Sequence, residues 1–118
     1  MKLAYEKHGS GFPVVLLHAF PLSRAMWRGN IDAVTSAGYS LILPDLPGFG
    51  ESRNFSDINT MADMASDVAE LLDDLKIESA VIGGLSMGGY TTFELLRSRS
   101  ERFAGLILCD TTSDADTD

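Results

Sequence analysis

Short apolar runs alternate along this chain with stretches whose apolar positions recur every three or four residues, which predicts strands interleaved with helices. Residues 14–17, Val-Val-Leu-Leu led in by Pro13, are continuously apolar, as in a strand covered on both faces. Residues 41–43 make a second such run, stopped by Pro44, and residues 80–82 and 103–109 make two more. An opening strand is expected over residues 2–6, closed by the turn signal Gly9-Ser10-Gly11. Ser23 reads as the N-cap of a helix that buries Trp27, Ile31 and Val34 and stops at Gly38. Thr60 with Asp63 has the form of a capping box. Behind it Met61, Met64, Val68, Leu71, Leu72 and Leu75 share one stripe, whose methionines fit core packing better than cofactor contacts. A third helix is expected over residues 87–97, and residues 44–54, rich in proline and glycine, form a loop. The resulting order is strand, strand, helix, strand, helix, strand, helix, strand. It predicts an α/β fold with a mostly parallel sheet flanked by helices, ending on a strand that no helix covers.

Composition narrows the picture modestly. The chain has 118 residues, 45% hydrophobic and 22% charged, as in one globular domain. No apolar run approaches the ~20 residues of a membrane span, and the opening MKLAYEKHGSG lacks the apolar core of a signal peptide. A cytoplasmic location is therefore the expectation, with no membrane partner. The net charge of −8 without a basic cluster argues against nucleic acid. Much of the acidity lies on the helical stretch 57–74, where Asp63, Asp67, Glu70, Asp73 and Asp74 read as a solvated face. The rest of note is in the tail, at Asp114, Asp116 and Asp118. The single cysteine, Cys109, sits in an apolar run, where core filling is the plainer role than a reactive thiol.

The candidate chemistry is concentrated in Val81-Ile82-Gly83-Gly84-Leu85-Ser86-Met87-Gly88-Gly89. An apolar strand runs into G-x-S-x-G and a helix follows at once, the context of a nucleophile elbow. Gly84 and Gly88 keep side chains away from Ser86 so that two backbones can pass close together. The helix start behind Ser86 offers unpaired N–H groups and a positive dipole end, both suited to developing negative charge. A plain glycine-rich turn with an incidental serine is the competing account. Two phosphate-binding readings fail: Gly84 and Gly89 have P-loop spacing, but Tyr90 stands where the lysine belongs, and no G-x-G-x-x-G occurs.

Two further segments sharpen the reading. His18-Ala19-Phe20-Pro21 follows the strand at 14–17, and Pro44-Asp45-Leu46-Pro47-Gly48-Phe49-Gly50-Glu51-Ser52 follows the strand at 41–43. With G-L-S-M-G-G, in this order, they make the chain resemble the N-terminal half of the α/β-hydrolase family, in its branch of esterases, lactonases, cofactor-free haloperoxidases and epoxide hydrolases. The resemblance implies Ser86 as nucleophile and the backbone N–H groups of Met87 and Phe20 as an oxyanion hole. It implies His18 as a residue that shapes the oxyanion loop, with Ala19 replacing the family's glycine. It makes the Asp45–Ser52 segment a loop bordering the active site, in which Asp45 reads as a turn-former and hydrogen-bond partner. Serine, where dehalogenases and epoxide hydrolases of this family carry aspartate, favours acyl chemistry on a small-molecule ester or lactone. No metal or organic cofactor is implied.

A serine hydroxyl needs a base to take its proton, and in this fold the order is Ser, acid, His. Both histidines, His8 and His18, precede Ser86, and His8 falls in an early turn where a solvated residue is the plainer account. Asp110 is a candidate acid of low standing, because the usual acid follows a later strand. The chain alone is thus expected to be nearly inactive, with histidine and acid supplied by a companion segment. Residues 113–118 fall where many family members insert a helical cap, so a hinge is expected there. The last strand, Phe103–Cys109, would be an open edge that invites self-association. A binding module that kept the fold and lost the chemistry, and a perhydrolase or haloperoxidase activity at the same site, are the alternatives.

Overall fold

The computed structural model describes residues 3–52 and 60–109. The expectations for Lys2, Asp110, the acidic tail and the hinge at 113–118 lie outside those residues. Five strands form one sheet: β1 (Tyr5–His8), β2 (Phe12–Leu17), β3 (Tyr39–Pro44), β4 (Ala80–Leu85) and β5 (Phe103–Cys109). Their spatial order is β1-β3-β2-β4-β5, with β1 antiparallel to β3 and every other pair parallel. Three α-helices connect them: α1 (Ile31–Ser36), α2 (Met61–Asp74) and α3 (Met87–Ser98).

The two faces of the sheet carry separate cores, as the alternation of a strand's side chains requires. Val15, Leu17, Ile42, Ala80 and Ile82 point to the face covered by α2 and α3, where Val68, Leu71, Leu72 and Leu95 meet them. Met61, Met64 and Leu75 of the α2 stripe pack at the margin of that cluster. Val14, Leu16, Leu41 and Leu43 point the other way, against Trp27, Ile31 and Val34. Strands β2 and β3 are apolar on both faces because both faces are covered.

Several boundaries differ from expectation, each for a physical reason. The opening strand lies over Tyr5–His8 rather than residues 2–6, because its register is set by antiparallel pairing with β3, from Tyr5 opposite Pro44 to His8 opposite Leu41. His8 is therefore a strand residue, hydrogen-bonded through Nε2 to Glu6 at 2.9 Å, and not a turn residue. The single helix expected behind Ser23 is a 3-10 helix over Arg24–Asn30 followed by the short α1. Gly29 and Asn30, both poor helix formers, sit at the join. Ser23 does act as its cap, accepting from the Ala25 N–H at 3.3 Å. Strand β4 continues through Gly83 and Gly84 to Leu85, since its ladders to β2 and β5 hold the glycines extended.

Thr60 caps α2, its Oγ1 accepting from the Asp63 N–H at 3.0 Å. On that helix Asp63, Asp73 and Asp74 are exposed, whereas Asp67 and Glu70 are half-buried. Burial raises the Asp67 carboxyl above its ordinary value, with Glu70 and Asp63 adding like-charge repulsion. Among the described residues strand β5 is the outer strand: Leu106 and Leu108 are 42% exposed and Ile107 is 37% exposed, so both of its faces are partly exposed. Cys109 is accordingly half-buried rather than core-filling.

Candidate active site

The parallel ladder places Leu17 opposite Gly84, so β2 and β4 end side by side at one edge of the sheet. The residues that follow them, His18–Phe20 and Ser86–Met87, emerge together there. Ser86 lies between β4 and α3 with φ 52° and ψ −110°, and it is exposed. This is the backbone geometry that favours glycine at the first central position of a II′ turn, so an L-residue there is strained. The elbow is tied down on the far side by the Ser86 N–H donating to the Cys109 carbonyl at 3.2 Å.

The flanking glycines are required by contact rather than by turn conformation. A Cβ on Gly84 would lie 2.8 Å from the Gly89 nitrogen and against the Gly88 carbonyl. A Cβ on Gly88 would lie 2.6 Å from the Leu17 carbonyl carbon and 2.8 Å from the His18 oxygen. The first turn of α3 therefore rests directly on the end of β2. Gly83, which the motif does not require, is equally constrained: a Cβ there would run into the Ile107 backbone of β5.

Met87 opens α3, so its N–H has no intrahelical acceptor and points with the positive end of the helix dipole. The side chain of Met87 is buried at 7% exposure, fixing the helix start against the core. Phe20 belongs to a tight turn in which the Leu22 N–H donates to the Ala19 carbonyl at 2.8 Å. The Ala19 N–H is held by the Met26 sulfur at 3.2 Å. Among the described residues no acceptor takes the Phe20 N–H. The Phe20–Pro21 peptide bond is cis, and the Phe20 ring, 67% exposed, meets Phe49 edge-on with centroids 5.6 Å apart.

His18 is fully buried. Its Nδ1–H donates to the Ala19 carbonyl at 3.0 Å, and its Nε2 accepts from the Leu46 N–H at 2.8 Å, which requires the neutral ring. Burial pushes its pKa below the ordinary value, only partly offset by the Ala19 carbonyl and the Asp45 charge. With both nitrogens engaged, His18 clamps the end of β2 to the loop after β3 and is not placed to take a proton from Ser86. His8 is on β1, three strand spacings from β4, roughly 14 Å across the sheet. The described residues therefore bring Ser86 and the N–H groups of Met87 and Phe20 to one end of the sheet, with neither histidine placed as a base for the serine.

Asp45 is buried at 1% exposure. Its carboxylate accepts from the Arg24 N–H at 2.7 Å and the Glu51 N–H at 2.9 Å, and it pairs with the Arg24 guanidinium. Gly50, at φ 51°, passes so close that a Cβ would overlap this carboxylate. Ser52 closes the loop, donating to the Asp45 carbonyl at 2.8 Å and accepting from the Ala4 N–H at 3.0 Å. Sequence reasoning missed Arg24. The available signal was indirect: an acid ending a buried strand needs a cation, but the partner lies 21 residues away. Among the described residues no group of acidic, histidine and cysteine side chains is arranged to hold a metal ion.

The strand ends thus carry an exposed serine on a strained strand-to-helix turn, beside a second loop that presents the Phe20 N–H. The α/β-hydrolase family model matches residues 13–118, and the chain belongs to that family. The structure is similar to a thermophilic esterase from Thermogutta terrifontis, with a TM-score of 0.92 and 46% identity over 98% of this chain and 42% of that one. In sequence it is 35% identical to an epoxide hydrolase from Caballeronia sordidicola, over 87% of this chain and 32% of that protein. It is also 35% identical to the non-heme chloroperoxidase CPO-A1 from Kitasatospora aureofaciens, over 75% of this chain and 32% of the relative. The chain thus spans about a third to two fifths of the length of these proteins. Among the described residues no helix is long and apolar enough to cross a membrane.

Proposed function

We propose that this chain is the nucleophile-bearing portion of a serine hydrolase acting on carboxylic esters, lactones or related acyl compounds. The observation that carries the reading is Ser86, exposed at φ 52° on the turn between β4 and α3 with the first N–H groups of the helix behind it. Such strain persists where the surrounding structure over-determines it, here through glycines that admit no side chain.

In this reading Ser86 Oγ attacks the acyl carbon as a base takes its proton. The carbonyl oxygen gains charge and is received by the Met87 and Phe20 N–H groups. Collapse of the tetrahedral intermediate expels the alcohol, which takes up a proton from the base. Water then repeats the sequence on the acyl-serine. His18 and Asp45 support the oxyanion loop without entering the reaction. Histidine and acid come from a companion segment, since His8 and His18 are both committed elsewhere. No organic cofactor takes part. The esterase similarity favours ester substrates, and the serine favours acyl transfer over epoxide opening. Turnover with peroxide, suggested by the chloroperoxidase relative, would use the same acyl-serine.

An aryl acetate assay tests the reading on this chain joined to the part of the Thermogutta terrifontis esterase that it does not span. Turnover that disappears in Ser86→Ala is the expected result. Turnover unchanged by that substitution would assign the chemistry to another group and overturn the proposal.

A further inference from the structure

The Arg24 side chain ties β1 to the loop after β3, and the mechanism above gives it no role. Its side chain is 15% exposed and its guanidinium reaches three carboxylates from two segments: Glu6 of β1 at 2.7 Å, and Asp45 and Glu51 of the loop after β3. Its own N–H donates to Asp45 at 2.7 Å. Upstream, the chain from Ala19 to Arg24 is the turn that presents the Phe20 N–H, closed by the Leu22–Ala19 hydrogen bond. The turn is thus anchored to the loop after β3 at two points. His18 holds its entry through the Leu46 N–H at 2.8 Å, and Arg24 holds its exit through Asp45.

We infer that Arg24 is a positioning residue for the oxyanion-binding turn, setting the place of the Phe20 N–H by locking residues 19–24 to Asp45. The catalytic part of this inference rests on the serine-hydrolase reading; the structural part does not. Arg24 touches no reacting atom. Its planar fork serves partners in several directions at once, which a lysine ammonium on a flexible stem does not reproduce. Losing the guanidinium altogether would leave buried Asp45 with Glu6 and Glu51 as neighbours of like charge.

The test compares Arg24→Lys, which keeps the charge, with Arg97→Lys, whose parent residue pairs with Glu94 on the exposed side of α3. Hydrogen exchange on the 118-residue chain reads the structural part without any activity. In Arg24→Lys the peptides covering residues 19–26 should exchange faster while α2 and α3 stay protected. Unchanged exchange at 19–26, or equal loss of protection everywhere, overturns the inference. In the ester-hydrolysing protein, Arg24→Lys should lower kcat about tenfold, with KM shifted by less than about twofold, because the displaced donor acts on the transition state. Arg97→Lys should leave both unchanged. An unaltered kcat overturns the catalytic part, whereas absence of Ser86-dependent turnover in the unsubstituted protein counts against the hydrolase reading and leaves the exchange result to decide the rest.

Discussion

At Ser86 the backbone conformation costs stability. A φ of 52° with ψ −110° disfavours every L-residue and suits glycine. Ser86→Gly should therefore raise stability by about 1 kcal/mol, while Ser86→Ala, which keeps a Cβ, should not. Denaturant melts check this, and a less stable glycine variant would show that Ser86 is not strained. Three other residues make stability depend on pH. Buried His18 has a lowered pKa, so the unfolded chain takes up a proton before the folded one does. Its contribution is complete above about pH 6.5 and declines below it. Glu6, hydrogen-bonded by Arg24 and His8, is lowered from 4.5 to about 2, so its contribution is present above pH 4.5 and is lost as the pH falls towards 2. Asp67, raised by burial, works in the opposite sense. Stability measured at pH 7, 5 and 3 should fall in that order, and His18→Asn should flatten the first interval. An equal slope in that variant would remove His18 from the account.

Among the elements, the β4–α3 unit was the most legible in sequence and α1 the least. G-L-S-M-G predicts a turn because its glycines have no steric alternative, and the structure shows what they avoid: Gly88 rests on the Leu17 and His18 carbonyls. Gly88→Ala should destabilise by about 1–3 kcal/mol, since rigid backbone rather than a flexible side chain must move. A melt within experimental error of the parent would contradict that packing. Helix α2 was legible from its cap and stripe, and Thr60→Ala should cost about 1 kcal/mol. The stretch 24–36 read as one helix because Trp27, Ile31 and Val34 keep helical spacing, and the 3-10 segment still delivers them to one core. Strand ends were misjudged where pairing, not the apolar run, decides the length, as at Tyr5–His8 and at Gly83-Gly84. The anchorage of the Phe20 turn was invisible because Arg24, His18, Asp45 and Leu46 meet only through tertiary contact.

Across the described residues, the sheet is covered on both faces at β2 and β3 and partly exposed on both at β5. Leu106, Ile107 and Leu108 lie exposed beside an open row of backbone groups. The 118-residue chain is expected to self-associate through this edge. Sedimentation velocity should show association that weakens in Leu106→Lys, and a monomer throughout the micromolar range would contradict it. The central claim is that this chain supplies the nucleophile of a hydrolase and that its base and acid lie elsewhere. Alone, the chain should turn over esters slower than the completed enzyme by as much as ~10⁶-fold. The most direct measurement is peptide mapping of a fluorophosphonate adduct on the chain joined to the part of the Thermogutta terrifontis esterase that it does not span. The account predicts a single adduct on Ser86, absent from Ser86→Ala and from the chain alone. No adduct, under conditions that label the intact Thermogutta esterase, or an adduct on another residue, would contradict it.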